Sequence, residues 1–203
     1  TIHTNNSLST IERLLDMNVE RYLLSSALSG IISQKLAKML CPECRIKEKA
    51  SAYQKKVFKL ALNKDIDELY TANPKGCPKC NNGYHGRIAL QEVLLINDEI
   101  RNALNVQDLD KKDLNKLVYG SDVITLLQDG LLKVLDGSTS FDEIYKLIDV
   151  DDDLDAYCEI KGITYDEHNG QIIKLNDNTN KQKNDIIEKE EILKNKNEEE
   201  EVL

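Results

Sequence analysis

Apolar residues recur at helical spacing over much of the chain. In ERYLLSSALSGIISQKLAKML (20–40), Leu24, Ala27, Leu28, Ile31, Ile32 and Met39 keep that spacing, and Ser25, Ser29, Lys35 and Lys38 take most of the positions between. This predicts one long amphipathic helix running straight into Cys41. Upstream, NNSLSTIERLLDMN (5–18) reads as a short helix, with Ser9 and Glu12 spaced as a capping box. SAYQKKVFKLALN (51–63) reads as a basic amphipathic helix, and GRIALQEVLLIN (86–97), rich in branched apolar residues, as a strand. Short helices are expected at about 98–105, 110–118, 122–135 and 140–148, the last with a second capping box at Ser140 and Glu143. Near the end, GITYDEHNGQIIKL suggests a small hairpin around Asn169-Gly170.

Charge divides the chain. Residues 1–150 balance 20 Lys+Arg against 20 Asp+Glu, so the net charge of −9 arises in 151–203, where 7 face 16. That last quarter holds NDNTNKQKND and ends in KNKNEEEEVL, which bury too little apolar surface to offset chain entropy. Residues 149–203 are therefore expected to form an acidic, mostly disordered extension. A neutral body with an acidic end is a poor nucleic-acid binder. A length of 203 residues suits one ordinary domain with additions. The first residues, TIHTN, read as a strand end entering a polar turn, so the chain is expected to be a fragment of a longer protein.

Four of the five cysteines form two Cys-Pro-x-Cys knuckles, Cys41/Cys44 and Cys77/Cys80, separated by 32 residues, while Cys158 stands apart. Disulfides, a redox pair and a metal site are all open to such a set. An odd cysteine and the lack of secretory cues weigh against a disulfide framework. A thioredoxin-like motif needs a single Cys-x-x-Cys between a strand and a helix. Two knuckles suit zinc, because each points two thiolates at one ion and together they complete a tetrahedron. Such a site is closed to water and substrate, so it is structural. The gap exceeds the usual ribbon spacing of roughly 15–20 residues, and the surplus holds the 51–63 helix. Lys55, Lys56 and Lys59 on that helix could make it an outward docking finger for acidic lipid or an acidic partner, or simply a solvated face.

The segments on either side of the knuckles resemble a known family. Thr1-Ile2-His3-Thr4-Asn5, then Glu12-Arg13-Leu14, then Gln34-Lys35-Leu36 leading to CPEC, resemble the C-terminal part of the type II secretion and type IV pilus assembly ATPases. GCPKCNNGYHGRIALQEVLLINDEIR and ITLLQDGLLKVLDGSTSFDEIYKLI are similar to later segments of the same family. The likeness spans about 1–148. It departs from the family pattern at Lys35 (usually Arg) and Asn18 (usually Gly), and this sequence holds no G-x-x-x-x-G-K-[ST] loop.

The resemblance implies a mainly helical α/β piece, the C-terminal flank of a RecA-like P-loop ATPase domain. It would divide into an ATPase segment (1–45), a four-cysteine zinc insertion (41–80), the remaining strand and helices (81–148) and the extension (149–203). It implies a homo-hexameric motor using ATP and Mg at the cytoplasmic face of the membrane, peripherally associated and working on an inner-membrane platform protein. His3 would sense the γ-phosphate as the catalytic and nucleotide-binding histidine, against a plainer role as a backbone cap. Arg13 would contact the nucleotide site or a subunit interface, against an i, i+3 pair with Asp16. Arg87 is open between an inter-subunit contact and a local salt bridge, while His85 and His168 read as surface residues. The competing reading is a non-catalytic, zinc-clamped adaptor module. Retraction motors of the same superfamily typically lack the four-cysteine insertion, so the knuckles favour an assembly or secretion motor.

Overall fold

The computed structural model describes residues 2–106, 110–120 and 123–175. In chain order they form α1 (Ser7–Asp16), α2 (Arg21–Ala27), β1 (Gly30–Leu40), β2 (Ile46–Lys49), α3 (Ala52–Leu62), β3 (Glu68–Thr71) and β4 (Tyr84–Leu95). Then follow α4 (Asp98–Leu104), α5 (Lys111–Tyr119), α6 (Leu126–Leu135), α7 (Phe141–Leu147), α8 (Val150–Lys161), β5 (Ile163–Asp166) and β6 (Gln171–Lys174). The described residues are mainly helical, with three two-stranded antiparallel sheets, β1–β4, β2–β3 and β5–β6.

The long helix expected over 20–40 is not formed. Its first part is α2, which ends where Leu28 turns extended, and Gly30 opens β1 instead. From Ile31 onward burial alternates residue by residue: Ile31, Ser33 and Ala37 point inward, while Ile32, Gln34, Leu36 and Lys38 point out. That period of two belongs to a strand. β1 pairs with β4 from Gly30↔Leu95 to Leu40↔Tyr84, with one irregularity between Lys38 and Leu40. Backbone pairing along this ladder, and the β-branched Ile31-Ile32 pair, outweigh the helical spacing of the apolar residues.

The inner face of the ladder carries one core cluster. Ile31, Leu94 and Ile96 pack with Ile11 of α1, Ile100 and Leu104 of α4, and Leu114 and Val118 of α5. Arg101 fastens the turn before β1, with its guanidinium donating to the carbonyls of Ser25, Leu28 and Ile96. Farther along the chain, Val57, Phe58, Leu60 and Ala61 of α3 are buried, as are Leu127, Leu131 and Val134 of α6 and Ile144 of α7.

The other elements follow their local signals with small shifts. α1 starts earlier than the expected box: Asn6 is the N-cap, its side chain accepting from the Ser9 amide at 2.9 Å. α3 has a full capping box of Ser51 and Gln54. Ser140 caps α7, but Glu143 turns away to β1, where it accepts from the Lys38 amide at 3.4 Å and pairs with the Lys38 and Lys146 ammonium groups. Residues 150–174, assigned to a mostly disordered extension, are ordered. Val150 and Leu154 give α8 a buried apolar edge, and β5 and β6 form the hairpin expected around Asn169-Gly170. The chain divides into two units, one ending at Lys161 and one beginning at Gly162. The expected disorder of 176–203 lies outside the described residues. Among the described residues no helix is long and apolar enough to cross a membrane.

Candidate metal centre

Each knuckle lies in a connection between two strands. Cys41 follows directly on β1, and the turn 41–45 is closed by the Cys44 and Arg45 amides donating to the Cys41 carbonyl at 3.3 and 3.0 Å. Cys77 and Cys80 lie between β3 and β4, with the Cys80 amide donating to the Cys77 carbonyl at 3.1 Å. The two knuckles are joined by the Cys41 amide, which donates to the Gly83 carbonyl at 2.8 Å, and by an exposed Lys79–Glu43 ion pair at 3.0 Å.

All four sulfur atoms lie within 4.8 Å of one another. Cys41–Cys77, Cys44–Cys80 and Cys77–Cys80 are separated by 3.8, 3.7 and 3.6 Å between Sγ atoms. A tetrahedral ion with Zn–S bonds of about 2.3 Å requires sulfur–sulfur edges of about 3.8 Å. The donor set therefore fits one tetrahedral metal ion. Cys41 is buried and the other three are half-buried. At Cys80, burial opposes ionisation, but the backbone amides of Cys77 and Gly83 and the neighbouring thiols outweigh it and bring its pKa down to about 7. At Cys44, burial and the surrounding thiols push the pKa up to about 12. Cys158 lies on α8, outside this group.

The centre is seated on the loop between α6 and α7. Arg45 donates to the Gly137 carbonyl at 2.6 Å and stacks over the Tyr70 ring at 4.2 Å. The Leu40 amide donates to the Ser138 carbonyl, Thr139 Oγ1 donates to the Lys38 carbonyl, and Tyr84 hydrogen-bonds Ser140 through their hydroxyls. These supports were not legible in the sequence, where only the paired CPxC turns stood out.

Gly83 is the tightest point. Its φ is +81°, and a Cβ there would lie 2.7 Å from both the amide nitrogen and the carbonyl oxygen of Asn73. Since both neighbours are backbone atoms, the second knuckle itself has to shift. Gly83→Ala is expected to weaken metal affinity by roughly 10–100-fold, as for other changes just outside a ligand set. Competition with a chromophoric chelator measures this, and unchanged affinity would show that the knuckle tolerates the shift.

The remaining site candidates divide. His3 and Arg13 are both exposed and line one hollow of about 470 Å³, together with Asn5, Ser9, Glu12 and Asp16. Residues 2–6 form no strand, so His3 sits in the polar lead into α1. Arg13 and Asp16 line the same hollow. Arg87 is exposed on β4 opposite Lys38. His85 is exposed and is not one of the clustered ligands, and His168 is exposed in the hairpin turn.

Sequence reasoning gave Glu92 no role, although it is the closing carboxylate of the G-Y-x-G-R-x-x-x-x-E pattern through which this segment resembles the family. It is 1% exposed and lies in a cavity of about 480 Å³ that Asn5, Asn6, Lys35 and Asp153 also line. Burial first, and then the Glu92 charge, raise the pKa of Asp153 to about 6 against the opposing pull of Lys35.

Comparison with known proteins bears on this geometry. The family described as "Type II/IV secretion system protein" matches residues 1–146. The chain is 39% identical over 148 residues to the type II secretion system protein E of Dickeya dadantii, covering 72% of this chain and 28% of that protein. It is 34% identical over 148 residues to the type II secretion system ATPase E of Vibrio cholerae, covering 72% and 28%. It is 34% identical over 146 residues to the type IV pilus assembly ATPase PilB of Thermus thermophilus, covering 71% of this chain and 16% of that protein. The chain thus spans less than a third of the length of these curated relatives.

Proposed function

Because the chain belongs to the type II/IV secretion system protein family, we propose that it is the C-terminal portion of a hexameric ATPase that powers assembly of a type IV pilus or a type II secretion pseudopilus. One observation carries this reading: a closed, tetrahedral four-cysteine cluster set inside a continuous family match over residues 1–146. The names of the relatives agree with it, since two of them are called ATPases.

In this reading Cys41, Cys44, Cys77 and Cys80 hold a structural zinc, which supplies a fixed point of folding and no reaction chemistry. ATP and Mg bind the full-length protein through a phosphate-cradling loop upstream of Thr1. His3, in the polar lead into α1, donates a hydrogen bond at the γ-phosphate, and Arg13 in the same hollow supplies positive charge to the nucleotide or to a neighbouring subunit. The motor works at the cytoplasmic face, peripherally on the membrane, and moves an inner-membrane platform protein.

The test is to read the frame upstream of Thr1 and assay the encoded polypeptide for ATP hydrolysis. We expect a G-x-x-x-x-G-K-[ST] loop and a loss of roughly a hundredfold in kcat for His3→Ala, the scale of losing one transition-state donor. A start codon close upstream with no such loop, and no hydrolysis, would leave the zinc-clamped adaptor as the function.

A further inference from the structure

We propose that Glu92 is a positioning residue, whose carboxylate holds the His3 segment against strand β4. This role rests on the reading of His3 given above. The geometry comes from hydrogen bonds alone. Glu92 Oε1 accepts from the Ser7 amide at 2.8 Å and from the Tyr119 hydroxyl at 3.4 Å. Its Oε2 accepts from the Leu126 amide at 3.2 Å. Ser7 is the first residue of α1 and Leu126 the first residue of α6. The first amides of a helix have no partner within it and carry partial positive charge, so a buried carboxylate is a fitting acceptor. One side chain on β4 thereby fixes the start of two helices and the last residue of α5.

Ser7 lies four residues beyond His3, and little slack separates them. Asn6 caps α1 through the Ser9 amide and hydroxyl, and Thr4 Oγ1 lies 2.6 Å from Thr10 Oγ1. Ser7 is itself fully buried. His3 is exposed and has no anchor of its own among the described residues, so its place is inherited from the segment that Glu92 pins. Asn5 and Asn6 line the same cavity as Glu92, which places carboxylate and segment side by side.

Three donors converge on Glu92, so only an all-acceptor group satisfies them. A glutamine amide would turn its NH2 toward the side with the single donor, Leu126, and keep its oxygen for Ser7 and Tyr119. Glu92→Gln should therefore free Leu126 and spare Ser7, whereas Glu92→Ala should free both. The first readout is amide hydrogen exchange on this chain. We expect exchange at least about tenfold faster at Ser7 and Leu126 in Glu92→Ala, and at Leu126 alone in Glu92→Gln, the scale of one lost hydrogen bond.

The second readout is ATP hydrolysis by the full-length protein. Glu92→Ala should lower kcat by about tenfold with little change in KM, Glu92→Gln should restore it, and the loss should vanish in a His3→Ala background. Ser7 protection that survives Glu92→Ala overturns the proposal. So do equal kcat losses in the two variants, or a loss that multiplies with that of His3→Ala, either of which marks a general loss of structure. If Glu92→Ala does not fold, fast exchange at Ser7 in Glu92→Gln overturns it alone. If exchange behaves as expected but His3→Ala leaves kcat unchanged, the carboxylate holds a segment that does no work in hydrolysis. The role then falls with the reading of His3, although the hydrogen bonds stand.

Discussion

Cys77→Ser is expected to strip the chain of its metal. The purified chain should carry about one zinc per molecule by elemental analysis, and the variant close to none, because a tetrahedral site that loses one of four thiolates has no other ligand at hand. His85, the nearest histidine in sequence, is not part of the cluster. The energetic scale is large: structural zinc sites contribute on the order of 10 kcal/mol of apparent binding free energy. The loss should be local in form. β1 and β4 already meet at Leu40↔Tyr84, so the ladder closes the long loop without the ion. A bound ion would reinforce the pair of turns, which otherwise rest on the Cys41–Gly83 hydrogen bond, the exposed Lys79–Glu43 pair and the Arg45–Gly137 contact. Amide exchange should therefore rise steeply over 41–50 and 72–83 on chelation, while α4 and α5, packed on the inner face of the ladder, keep their protection. Cys158→Ser should leave the zinc content unchanged. Full metal retention in Cys77→Ser, or zinc loss in Cys158→Ser, would sink the assignment of ligands.

The four-cysteine cluster was legible because the Cys-x-x-Cys turn is local. Each CPxC turn brings its own two sulfurs together, the β1–β4 ladder brings the two turns together, and the observed Sγ distances suit a tetrahedral ion. The Ser140 cap and the short amphipathic helices were legible for the same reason, whereas α1 is capped by Asn6 and not by the expected Ser9. β1 was not. Its inward positions include Ser33 and Ala37, while Ile32 and Leu36 face outward, 68% and 53% exposed. With apolar residues on both faces the alternation disappears, and the spacing of Leu24, Leu28 and Ile31 suggests a helix that Gly30 and the pairing with β4 prevent. Glu92 was hidden more deeply. Nothing in a sequence tells that one carboxylate will meet two helix N-termini, since that depends on a register between segments 85 residues apart.

The helix between the knuckles supplies the last test. Its lysines left an outward docking finger and a plain solvated face both open, and its apolar face packs inward. Phe58 is fully buried, 6.3 Å from the Phe141 ring, and Tyr53 packs edge-on against Phe141 and Tyr145. Gln128 of α6 donates to the Ala61 carbonyl at 2.9 Å, and the Tyr53 hydroxyl donates to Asp151 of α8 at 2.7 Å. The basic side chains are occupied nearby, Lys55 with Asp67 at 3.1 Å and Lys59 with Asp65 at 2.8 Å. Phe58→Ala is therefore expected to destabilise the zinc-loaded chain by about 3–5 kcal/mol, the cost of a large cavity in a packed core. Lys55→Glu should change stability by no more than about 1 kcal/mol, since its pair is solvent-exposed. Urea unfolding with zinc present measures both. A Phe58→Ala variant within about 1 kcal/mol of the parent would mean that α3 can leave the body, as a docking finger requires. A large loss means that α3 is packed into α6, α7 and α8, so the insertion is continuous with the core of the segment it interrupts.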